Sequence, residues 1–122
     1  MTVTKEHKHN GKLLGHWHES EELGQMYIAV RSRRHIHRER NAWLFDSSLL
    51  SKCRDNGVGH IGVQVRVGGK KLLWLTPVDD LFNSPDSFPH SKETRQRGLP
   101  LNRFQIDPLK DAANIEASFH LR

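Results

Sequence analysis

Residues 60–76 read HIGVQVRVGGKKLLWLT, and this stretch decides the fold. Two alternating apolar runs flank Gly68-Gly69. A two-residue turn of the hairpin type needs positive φ at its central positions, which glycine adopts without steric cost. The stretch is therefore a β-hairpin, and the loop length sets its register, with paired positions summing to 137. Val65 then faces Leu72, Val63 faces Trp74 and Ile61 faces Thr76, all on one face expected to be the core side. On the opposite face Arg66 meets Lys71 and Gln64 meets Leu73.

Downstream, Thr76-Pro77-Val78-Asp79 predicts a helix start, with Thr76 as N-cap and Pro77 in the first helical position. Leu81 and Phe82 would dock on the hairpin, and Asn83-Ser84-Pro85 would end the helix. Residues 84–98 are rich in Ser, Pro and charge and read as a long mobile loop. LNRFQI at 101–106 alternates and reads as an edge strand, and KDAANIEASFHL after it as a terminal helix.

Upstream, QMYIAVR at 25–31 alternates and predicts a strand, with Met26, Ile28 and Val30 on one face. Tyr27 falls on the other, more polar face, where it is a candidate to stack on a base. The next residues, SRRHIHRERN, are almost wholly polar and read as an exposed extension. Asp46 or Ser47 can cap a helix over about 47–55, with Leu49, Leu50 and Cys53 on its apolar side and Asn56-Gly57 as its stop. A short helix from about Ser20 is a weaker pattern. Residues 1–12 lack periodicity and read as a flexible N-terminal arm. The expectation is one α+β domain over 13–122, built on a small antiparallel sheet with a central β-hairpin and two or three short helices.

The whole chain has 122 residues, room for one core, and a formal charge of +5. That charge is uneven. Residues 1–75 carry 13 basic and 7 acidic side chains, and residues 76–122 carry 6 and 7. No apolar run approaches the ~20 residues of a membrane span, and the first residues have no signal-peptide core. A cytoplasmic protein is expected. One cysteine leaves no internal disulfide and no multi-cysteine zinc site.

Two basic elements are the candidate site. The first holds Arg31, Arg33, Arg34, Arg38 and Arg40 against the single acid Glu39. The second is the hairpin tip, with Arg66, Lys70 and Lys71. Guanidinium groups present a planar fork to phosphate and stay charged. The like-charged Arg66–Lys71 pair makes sense if an anion lies against it. Asn41 and Gln64 are candidates to read base edges.

Three His-x-His triplets (His7/His9, His16/His18, His35/His37) place imidazoles two apart, a spacing that lets a strand pinch a metal ion. His16, His18, His35 and His37 would be the set. The sequence has no HExxH and no paired cysteines, and no metal or other cofactor is assigned. The leading expectation is a noncatalytic nucleic acid-binding protein that contacts double-stranded DNA. A homodimer through the 101–106 edge would double the contact. The alternatives are a small basic ribonuclease, with His35, His37 or His60 as base and Arg31 or Arg33 as clamp, or a protein–protein adaptor with an acidic partner.

Overall fold

The computed structural model of the chain describes residues 2–67, 70–91 and 95–104. It is a small α+β fold in which two sheets and two short helices share a core. The first sheet contains β1 (Thr2–His9), β2 (Lys12–Ser20), β3 (Gly24–Arg31), β5 (His60–Val67) and β6 (Lys70–Pro77), in the order β1-β2-β3-β5-β6. The second contains β4 (Ala42–Asp46), β7 (Phe88–Ser91) and β8 (Gln96–Pro100), in the order β4-β8-β7. Helix α1 (Ser47–Asp55) follows β4, and α2 (Asp80–Asn83) follows β6.

The hairpin has the expected register. Val65 pairs with Leu72, Val63 with Trp74 and Ile61 with Thr76, and pairing runs up to Val67–Lys70. The Gly68-Gly69 turn itself lies outside the described residues. The sheet differs from expectation in two ways. It is mixed, because β3 runs parallel to β5, and among the described residues the hairpin stands at its edge, with no strand paired to the outer side of β6. The parallel pairing follows from what intervenes: β4 and α1 carry the chain across the core face and return it to the start of β3, where Gly59 N–H donates to the Gln25 carbonyl.

The core lies between the sheets. Tyr27, Ala29, Ile61, Val63, Val65 and Trp74 come from the first sheet, Trp43, Phe45 and Leu99 from the second, and Leu50, Cys53 and Leu81 from the helices. The Trp43 and Trp74 rings meet edge to face at 5.4 Å. α1 forms where expected. Asp46 caps it, with a carboxylate oxygen accepting from Ser48 N–H at 2.8 Å, and Gly57 follows its end at φ +72°.

Several expectations fail, each to a long-range pairing. Residues 2–9 of the expected arm form β1, turned onto β2 through Asn10 and Gly11, both at positive φ. No helix starts at Ser20: that residue ends β2, and its hydroxyl accepts from Glu22 and Leu23 N–H in the turn. The expected loop at 84–98 contains β7 and the start of β8, strands too short and too rich in Gly and Pro to show a period. The sheet claims Thr76 and Pro77, so α2 begins at Asp80, and the Thr76 hydroxyl donates to the Asp80 carboxylate at 3.3 Å. The expected edge strand at 101–106 is a 3₁₀ turn over Leu101–Arg103 that sinks Phe104 into the core. Gln105, Ile106 and the expected terminal helix lie outside the described residues.

Candidate nucleic-acid interface and its cavity

Strand direction brings the two basic elements to one end of the first sheet. β3 and β5 are parallel, with Arg31 beside Val65, so the chain leaves β3 into residues 32–41 at the end where β5 enters the hairpin tip. The β1–β2 turn reaches the same end, since Gly15 pairs with Ala29 and Lys12 lies three residues back along β2. Lys12, Arg31 and His35 line one cavity at this end, and partial desolvation, then the charges of Arg31, Arg34 and Lys12, hold His35 below its ordinary pKa.

The basic side chains differ in what they do. Arg31 turns inward. Its guanidinium donates to the Leu44 carbonyl and lies 5.0 Å from the centre of the Phe45 ring, and burial pulls its pKa down from the ordinary arginine value. Arg40 lies over Phe88 at 4.2 Å, which ties the exposed turn between His37 and Ala42 to the second sheet. Arg34, Arg38 and Arg66 are exposed. None of Arg31, Arg34, Arg38, Arg40 and Arg66 is bound to a carboxylate: the ion pairs among the described residues join Lys8 to Glu6, Arg54 to Asp79 and Arg103 to Asp86. The side chains of Arg33, Lys70 and Lys71 lie outside the described ones.

Behind this end a cavity of about 590 Å³ opens between β1–β3 and α1. Its cationic lining is Lys12, Arg31 and Lys52, with His7 and His35, against one carboxylate, Asp46. Asp46 is already engaged by the Ser48 N–H and hydroxyl, at 2.8 and 2.7 Å. The rest of the wall is apolar or neutral and includes Leu13, Leu14, Trp17, Leu49 and Gln96. The volume is that of a pocket for one small organic ligand.

The cavity's rings are held in place. Trp17 meets Tyr27 edge on at 4.6 Å, and the Lys52 ammonium stands 5.5 Å from the Trp17 ring. Tyr27 is not an exposed stacking residue. It is 1% exposed, its hydroxyl lies 2.8 Å from His7 Nδ1, and burial pushes its pKa up to about 12. His35 Nδ1 accepts from Ser32 N–H at 3.1 Å, so the neutral ring carries its proton on Nε2 and acts there as a donor.

The proposed four-histidine metal set is not assembled. His16 and His18 pack ring to ring at 5.5 Å on β2, opposite the buried Ile28 and Met26, whereas His35 and His37 lie on the connection to the second sheet. Among the described residues no three His, Cys, Asp or Glu side chains gather into a metal-holding group. Asn41 sits at φ +49° in an exposed turn, and Gln64 is half-buried with its Oε1 unpartnered.

Sequence reasoning missed Lys12, Trp17, Leu49 and Lys52. One signal was present: Asn10-Gly11 is a strong two-residue hairpin marker, and it would have folded β1 onto β2 and carried Lys12 to the basic end. Nothing local marks Lys52 as a neighbour of Trp17. Compared with protein-family models, curated proteins and solved structures, the chain matches none. No helix among the described residues is long and apolar enough to cross a membrane.

Proposed function

We propose that this protein binds nucleic acid, with double-stranded DNA as the main partner, and does not cut it. The observation that carries the reading is the parallel β3–β5 pairing, which gathers the arginine-rich connection, the hairpin tip and Lys12 at one end of the sheet. Arg34, Arg38, Arg40 and Arg66 would contact backbone phosphates, and free cations in one region supply the salt-dependent part of such binding. Arg31 turns inward and lines the cavity behind this surface. Of the three candidate bases, His35 has its Nδ1 taken by Ser32 N–H, which leaves its neutral ring a donor at Nε2 and not an acceptor. The proposed compartment is the cytoplasm, where Cys53 stays a buried thiol.

The test is a titration of labelled blunt duplex and of single strand at several salt concentrations, with gel analysis of the nucleic acid afterwards. Affinity should fall as salt rises, and each of Arg34→Gln, Arg38→Gln and Arg66→Gln should reduce the logarithmic salt slope by about 1. The nucleic acid should survive intact. No binding at low salt removes the proposal, and cleavage that His35→Ala abolishes would replace it with a nuclease.

A further inference from the structure

We propose that the cavity between β1–β3 and α1 receives a single unpaired nucleotide, free or at the end of a strand. The strand-borne case rests on the nucleic-acid reading above.

The lining holds both kinds of group that such a ligand needs, with the Lys52 ammonium 5.5 Å from the Trp17 ring. Lys12, Arg31 and Lys52 place three permanent cations around a space of about 590 Å³, and His35 adds a neutral Nε2–H donor. These groups give charge-assisted hydrogen bonds to a phosphate. Trp17 and Leu49 supply an apolar wall on which the flat body of a base can lie. A bare inorganic anion would leave that wall wet. A wholly apolar ligand would strip water from three cations without replacing it, a cost that rules it out. A molecule with a phosphate at one end and a planar, edge-polar ring at the other satisfies both kinds of group. A paired base cannot enter, because its ring is stacked inside the duplex, so the nucleotide must be unpaired.

The experiment uses the full chain with AMP, adenosine and inorganic phosphate as calorimetric ligands. A blunt duplex and the same duplex with a short single-stranded overhang are the strand-borne probes. AMP should bind at least tenfold tighter than adenosine or phosphate. Lys12→Gln and Lys52→Gln, both at exposed positions, should each weaken AMP fivefold or more, while Arg103→Gln, which removes the same charge outside the cavity, leaves it unchanged. The overhang should strengthen duplex binding at least fivefold, and AMP should compete that gain away.

If duplex binds and AMP neither binds nor competes, the cavity inference is overturned and the nucleic-acid reading stands. If AMP binds and no strand does, the cavity is a receptor for free nucleotides and the nucleic-acid reading falls. Equal binding of AMP and phosphate, or an acidic peptide that binds where AMP does not, overturns the inference.

Discussion

Acid should destabilise this protein through His18. The side chain is 1% exposed, paired across the first sheet with the equally buried Met26, and neither ring nitrogen has a partner. Burial first, and then the neighbouring His16, holds its pKa at about 4 against an ordinary 6.5. The folded protein therefore keeps His18 neutral where the unfolded chain takes up a proton. Stability is full above pH 6.5, falls as pH drops from 6.5 to about 4, and loses nothing further from this group below that. At about 1.4 kcal/mol for each pH unit of the interval the loss is roughly 3 kcal/mol, a large part of the ~5–15 kcal/mol that stabilises a small domain. His60 follows Met26 in the same row of the sheet, and burial lowers its pKa too, so it adds a contribution of the same sign. Urea unfolding followed by tryptophan fluorescence over this pH range measures the slope. His18→Leu should flatten it, and should stabilise the protein near neutral pH because two orphaned nitrogens are removed. Parallel stability–pH curves for the wild type and His18→Leu would refute the reasoning.

Other substitutions follow from the packing. Gly62→Ala should cost about 2 kcal/mol or more in chemical unfolding, because its Cβ would stand 2.5 Å from the Trp74 carbonyl oxygen, which belongs to a paired strand. Asp46→Ala should lower stability by about 1 kcal/mol through loss of the α1 cap, measured by urea unfolding, whereas Asp46→Asn should keep the cap. Asp46→Asn also removes the one carboxylate in the cavity lining, so AMP should bind severalfold tighter by calorimetry. Cys53 is fully buried, and burial pushes its thiol up to about 11, so a thiol reagent near pH ~8 should label it only as fast as the protein unfolds.

The hairpin, β3 and α1 were legible because each is written in short-range chemistry. Gly68-Gly69 sets a register that places Ile61, Val63 and Trp74 on one face, and Asp46 satisfies a helix terminus two residues away. β1, β7 and β8 were not legible: an exposed edge strand such as β1 needs no apolar period, and β7 and β8 hold Pro89, Pro100 and Gly98 in places only their partners justify. The site divides in the same way. The arginine run and the basic hairpin tip are plain in the sequence, but their inward or outward aim is not. Arg31 turns in because Leu44 offers a carbonyl and Phe45 a ring, both from the other sheet.

By itself the sequence determined which segments turn, pair locally or begin a helix, because those choices depend on residues a few positions apart. Only the tertiary structure decided that β3 runs parallel to β5, that Lys12 and Lys52 border one cavity, and that His18 is sealed from water. Each of these depends on which distant surfaces meet, and burial is shared among segments whose local patterns leave that choice open.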